Sequence, residues 1–288
     1  MKKNILTSAI LVIAIMLSAC EKKVDITTEQ LCKATTVDEI LQNNDSVTTH
    51  LSSKQNNIEL FTYFDDNYRY FYQVLEGKTS EYLVQMGTNN FVAYNEDTGY
   101  ENVIMANGYE ERFYNYEFFD TDSSSPDNIL SSVQKGGKIY IETEVDHDTL
   151  ARYLSEEYGE EIEDGVYLFS TYTADADTYI IENNVEYFCY PDGSKEAMSE
   201  MTIAVNESFP EKAAQMLKRL EDNSNSRKAT LILYPDTENE RSFTINSPRG
   251  ERVDFRVPEE CQLYTDRECT VLLDDNADND PDITVYAK

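Results

Sequence analysis

Ile58-Glu59-Leu60-Phe61-Thr62-Tyr63-Phe64-Asp65-Asp66-Asn67-Tyr68-Arg69-Tyr70-Phe71-Tyr72-Gln73-Val74-Leu75 is the stretch whose pattern decides the fold class. Side chains alternate across a β-strand with a period of two. On that period Ile58, Leu60, Thr62 and Phe64 share one face, and Glu59, Phe61 and Tyr63 share the other. Asp65-Asp66-Asn67 is a turn signal, and Tyr68 to Leu75 resumes the alternation. The segment predicts an antiparallel hairpin with a three-residue connection.

The same texture extends outward. Tyr82 to Met86, Phe91 to Tyr94 and Asn102 to Met105 follow at short spacing, each bounded by Gly, Asn or Asp, and Tyr109 to Phe119 is a further aromatic stretch. Short runs at such spacing predict a meander of antiparallel strands. Ser123 to Pro126 reads as a loop. Beyond it Lys138 to Val145 is the clearest strand, with Ile139, Ile141 and Val145 on one side and Glu142 and Glu144 on the other. Strands resume at Val166 to Tyr172, Tyr179 to Tyr190 and Ala197 to Val205, with Pro191-Asp192-Gly193 as a turn.

Three helices interrupt the strands. Thr36 and Glu39 have capping-box spacing at the start of a short one. Asp148 to Tyr158 carries Leu150, Tyr153, Leu154 and Tyr158 on one stripe. Ser208-Phe209-Pro210-Glu211 opens the third, with Ser208 as N-cap and Glu211 completing the box. Its apolar stripe is Phe209, Ala213, Met216, Leu217 and Leu220, which should pack on the sheet. Asp222 to Ser226 is polar and small, as a linker is.

The first residues give an address. Lys2 and Lys3 precede an apolar run from Ile5 to Met16, and Leu17-Ser18-Ala19-Cys20 closes it with small residues. This is the layout of an export signal. The run is shorter than the roughly 20 apolar residues of a membrane-spanning helix. Leu17-Ser18-Ala19-Cys20 resembles the lipobox of bacterial lipoproteins. The resemblance implies cleavage before Cys20 and lipidation of its thiol, so 1–19 is a signal peptide and 20–35 a polar tether. It also implies anchoring at the extracytoplasmic face of the cell membrane, which two acyl chains make stable.

Composition narrows the partners. The chain has 288 residues and a formal charge of −31. Loss of residues 1–19 removes Lys2 and Lys3 and no acid, so the remainder is more acidic still. Nucleic acid is excluded as a partner, because phosphate recognition needs a basic face. Anionic membrane surfaces repel such a chain, so the lipid at Cys20 must hold it there. Cys32, Cys189, Cys261 and Cys269 allow three pairings that the sequence leaves open, with Cys261 and Cys269 close enough to bridge adjacent strands.

Residues 36–221 run helix, antiparallel strands, helix, and in this layout resemble the LolA-type lipoprotein carriers. The resemblance implies a mainly β, α+β fold: a curved antiparallel half-barrel sheet with covering helices, holding a lipid or other amphipathic small molecule. Phe61, Tyr63, Tyr70, Tyr72, Tyr94 and Tyr140 are the candidate apolar ligand face. After a linker at 222–228, residues 229–288 resemble a Listeria–Bacteroides repeat, a small β-grasp-like module. The match rests on Tyr264, Asp266, Cys269, Thr270, Tyr286, Ala287 and Lys288, while Gln262-Leu263 replaces the family's Gly-Trp and the final Trp is absent. The module implies a spacer or a contact with a surface protein.

No catalytic constellation stands out. His50 lies in a strand-like stretch, and His147 sits between Asp146 and Asp148 without a nucleophile motif nearby. The acidic cluster from Glu156 to Asp164 reads as a solvated surface in so acidic a chain. Asp274, Asn276, Asp278 and Asp280 alternate as Ca²⁺ ligands do, but no Gly holds the sixth position, and Val285 stands where an EF-hand loop has Glu. That stretch is read as an acidic turn. The expectation is a non-catalytic, lipid-anchored binder of an apolar or amphipathic ligand, without cofactor or metal. The alternative is a surface interaction or spacer module acting through the C-terminal segment.

Overall fold

The computed structural model describes residues 22–23, 36–53, 57–87, 90–105, 128–158, 161–221, 226–258, 260–273 and 282–288. The leader and lipobox, the aromatic stretch 109–119, the loop 123–126, Cys32 and the acidic turn 274–281 lie outside them. In chain order the elements begin with β1 (Lys22–Lys23), α1 (Val37–Leu41), β2 (Ser46–Ser53), β3 (Ile58–Asp65), β4 (Tyr68–Leu75) and β5 (Lys78–Gln85). They continue with β6 (Asn90–Asn95), β7 (Gly99–Met105), β8 (Ile129–Lys135), β9 (Lys138–Val145), α2 (His147–Tyr158), β10 (Tyr167–Asp175) and β11 (Ile181–Cys189). The last are β12 (Lys195–Val205), α3 (Ala214–Glu221), β13 (Ser226–Leu233), β14 (Arg241–Pro248), β15 (Val253–Arg256), β16 (Leu263–Tyr264) and β17 (Ile283–Ala287). The protein is mainly β, with a large open sheet dominated by antiparallel pairs and a small sheet in the order β14-β13-β17-β16.

The chain divides into two compact units, one of Met1–Glu39 with Glu117–Ile203 and one of Ile40–Tyr116 with Ala204–Lys288. In the first, the strand order is β1-β8-β9-β10-β11-β12. Lys22 and Lys23, within the segment read as a tether, pair with Gln134 and Val133. β8 and β9 are joined by Gly136-Gly137, both at positive φ. A two-residue hairpin turn that matches the strand twist needs that backbone region, which glycine enters without strain. On β9 the predicted alternation holds, with Ile139, Ile141 and Val145 buried. α2 packs on β10. It is capped by Asp146, whose carboxylate accepts from the backbone N–H groups of Asp148 and Thr149 at 3.0 and 3.1 Å. Those bonds hold the Asp146 pKa below its ordinary value.

In the second unit the order is β2-β3-β4-β5-β6-β7-β15. β3 and β4 form the expected hairpin, and Asp65 makes its turn, accepting from the N–H groups of Asn67 and Tyr68 at 2.7 Å each. Only Asp66 and Asn67 lie between the strands. The small sheet shares a core with the edge of the large one: Ala229, Leu231, Leu233, Ile245, Val285 and Ala287 cluster with Ile104, Val253 and Phe255. β15, expected as part of the C-terminal module, pairs in parallel with β7 instead.

One sequence expectation here needs correction. Ser208 does not cap the third helix. Pro210 occupies the cap position in extended conformation without a side-chain cap bond, and the first turn, Glu211–Ala213, is a 3₁₀ turn before α3. Pro210 restricts Phe209 before it to extended backbone, so Ser208 stays too far from the first helical N–H groups. The pairing that the sequence left open is not made by Cys261 and Cys269, which like Cys189 are free thiols. Cys269 sits at φ 55° in a turn closed by Asp266. The Asp266 carboxylate takes the N–H and hydroxyl of Thr270 and the N–H of Val271, which explains the Asp-x-x-Cys-Thr spacing.

Candidate ligand-binding face

Strand register builds the face row by row. Tyr63 on β3 stands opposite Tyr70 on β4, Tyr70 opposite Leu83 on β5, and Leu83 opposite Val92 on β6. Because neighbouring pairs in register point the same way, these four form one row. The next row on the same face, two residues along each strand, is Phe61, Tyr72, Glu81, Tyr94 and Tyr100, continued at the β2 end by His50. From Phe61 to Tyr100 it crosses five strands, about 19 Å at the usual strand spacing.

α3 and the turn before it lie over the first row. Ala213, Met216 and Leu220 are buried with Tyr63, Tyr70, Leu83 and Val92, and Phe209 and Leu217 pack against the same cluster. The stripe read from the sequence is therefore the one that packs. An eight-residue helix is too short to be stable by itself, so this contact holds it. Phe209 meets Tyr63 edge-on at 5.3 Å between ring centroids and Tyr68 at 5.7 Å.

The second row keeps partial access to solvent. Phe61, Tyr72, Glu81, Tyr94 and Tyr100 are each half-buried, whereas Tyr70 in the first row is fully buried. Two cationic side chains of the helical segment reach across it. The Lys212 ammonium lies 4.1 Å from the Phe61 ring centroid and 3.9 Å from that of Tyr72. The Arg219 guanidinium lies 4.1 Å from the Tyr100 ring and pairs with Glu251. Although Lys212 as a residue is exposed, desolvation of its ammonium pulls the pKa below the ordinary lysine value, against the opposing fields of Glu59 and Glu81. The Tyr94 and Tyr100 rings meet tilted at 47° with centroids 4.8 Å apart.

Hydrogen bonds tie the rows together. The Tyr70 hydroxyl donates to Glu81 at 2.6 Å, and burial together with that bond drives its pKa well above the usual tyrosine value. Tyr63 donates to Asp65 at 2.8 Å and is raised for the same reasons, burial first. Tyr68 and Tyr100 donate to Glu221 and Gln215 of α3 at 3.0 and 2.9 Å. Glu251 also accepts from Asn102 Nδ2 at 3.1 Å, and its backbone carbonyl accepts from Arg227 at 2.9 Å, so one loop pins α3 to β7 and β13.

Of the six residues expected on an apolar face, Phe61, Tyr63, Tyr70, Tyr72 and Tyr94 thus meet on one face of the second unit. Tyr140 does not join them. It belongs to the first unit and projects outward from β9 with 47 % of its surface exposed. Tyr100, Lys212 and Arg219 were not anticipated. Tyr100 was findable as the next aromatic in register after Tyr94, and the two cations as residues flanking the apolar stripe at a seven-residue interval.

The two histidines have the following surroundings. His147 Nδ1 lies 3.0 Å from the backbone carbonyl of Val166, and His50 Nε2 lies 3.5 Å from Glu59. Among the described residues no three His, Cys, Asp or Glu side chains converge as metal ligands do. No helix among them is long and apolar enough to cross a membrane. No protein-family model matches the chain, and no curated protein sequence matches it.

Proposed function

We propose that this chain is a non-catalytic binding lipoprotein, anchored through lipid at Cys20 on the extracytoplasmic face of the cell membrane, that holds an apolar or amphipathic ligand along the aromatic row from Phe61 to Tyr100. In this reading the large sheet is a LolA-like half-barrel with covering helices, and residues 229–288 form a β-grasp-like appendage. The observation that carries it is the half-exposed row itself. Four rings in register, interrupted by Glu81 and only partly covered by the helical segment with its Lys212 and Arg219, make an aromatic strip with a few polar groups, the usual make-up of a small-molecule site. A structural core would bury those rings; a plain solvated surface would not align them.

Two measurements test this. Native mass spectrometry of the gently extracted full chain should show co-purifying lipid, and a fluorescent fatty acid should bind with an affinity that falls about tenfold in Tyr72→Ala, the loss of roughly one well-buried aromatic contact. No bound lipid and no uptake would remove the carrier reading. Cys20→Ser should shift the protein out of the detergent phase; continued partition there would remove the anchor.

A further inference from the structure

Among the described residues the Lys212 ammonium lies against two rings of the candidate face, Phe61 and Tyr72. Those rings are directly paired across β3 and β4, and Glu81 is the next residue in the same row. Glu59 lies two residues from Phe61 along β3, on the same face, with its carboxylate 3.5 Å from His50 Nε2. Both carboxylates act on the Lys212 ammonium. Paired aromatic faces beside carboxylates are the arrangement that recognises organic cations, because the ring quadrupole attracts positive charge.

We infer that the Phe61–Tyr72 ring pair is an ammonium-binding subsite, filled by Lys212 in this structure and meant for the cationic head of an amphiphile, a quaternary ammonium above all. The inference rests on the aromatic row being the ligand face and names the chemistry of its head group. Lys212 then acts as an internal surrogate that leaves when the ligand arrives. A primary ammonium is strongly hydrated and gives up much to lie on a ring. The downward pull on the Lys212 pKa is the sign of that cost. A quaternary ammonium holds water less tightly and has no proton to lose, so it should displace the lysine. An anionic head would meet Glu59 and Glu81 in a chain of charge −31 and is disfavoured.

The test is calorimetric titration of the purified full chain with octyltrimethylammonium, octyl sulfate and octyl glucoside below their micellar concentrations. About 0.5 M salt screens the general attraction of an acidic protein for cations to a few Å. The trimethylammonium probe should bind about tenfold tighter than the other two, the size of a part-desolvated cation–π contact. Lys212→Gln, at an exposed position, should tighten that probe several-fold by vacating the rings. Phe61→Leu and Tyr72→Leu should abolish the preference, with circular dichroism confirming the fold. Equal binding of all three heads, or a Lys212→Gln variant that binds no better than the parent, would overturn the inference while leaving the carrier reading intact. No binding by any head would overturn both.

Discussion

Two neighbouring rows on one sheet face are made of similar residues and have different fates. Tyr63, Tyr70, Leu83 and Val92 lie under the helix and are sealed, whereas Phe61, Tyr72, Glu81, Tyr94 and Tyr100 lie beside it and stay half-open. Composition does not separate them, since both rows carry tyrosines. What differs is the cover. The apolar stripe of Ala213, Met216 and Leu220 is one row wide, and the next row receives the long stems and charged ends of Lys212 and Arg219. Such side chains lay apolar methylenes along a surface while keeping the charge near water. In the proposed function the sealed row supplies stability and the partly covered one the ligand contacts.

The contrast can be broken by substitution. Tyr70→Ala should be the most damaging change on this face, costing about 3–5 kcal/mol in urea or thermal unfolding, because it empties a fully buried site. A loss under about 1 kcal/mol would mean the first row is no core. Tyr70→Phe keeps the ring and removes the bond to Glu81, for an expected cost of about 1.5–3 kcal/mol at neutral pH.

That variant also sharpens the pH behaviour. Tyr63 and Tyr70 have pKa values raised in the fold, by burial first and then by Asp65 and Glu81. The fold thus favours the protonated phenol. The associated stability is fully present below the unfolded value of about 10 and is lost as pH climbs above it. Unfolding free energy measured between neutral and strongly alkaline pH should fall above that point, and fall less steeply in Tyr70→Phe. The smallest effect on stability is expected from Tyr94→Ala in the half-open row, about 1 kcal/mol from its ring contact with Tyr100. The same change should weaken ligand uptake clearly. Equal stability losses in both rows would erase the distinction between core and site.

Much of this arrangement was legible in the sequence, and the reasons differ by element. The β3–β4 hairpin was readable because alternation and an Asp-Asp-Asn turn are local signals. The capping box of α1 formed as read, with Glu39 N–H donating to Thr36 Oγ1 at 3.3 Å and Thr36 N–H to Glu39 at 3.4 Å. The similar spacing at Ser208 failed because proline two residues later imposed its own backbone. Tyr140 was misplaced onto the face since an aromatic on a strand looks the same whichever unit it belongs to. The pairing of β15 with β7 was hidden because a four-residue strand says nothing about a partner some 150 residues away in the chain.

Strand alternation and the helix stripe were written in the residues themselves: side-chain direction follows backbone geometry within a few positions. They determined that Phe61, Tyr63, Tyr70 and Tyr72 would share one face and that Met216 and Leu220 would seek cover. Which row the helix would seal, and that Lys212 and Arg219 would lie on the other, was decided only by tertiary packing. Those contacts join positions far apart in the chain, and their placement depends on how side chains of both elements fill space together.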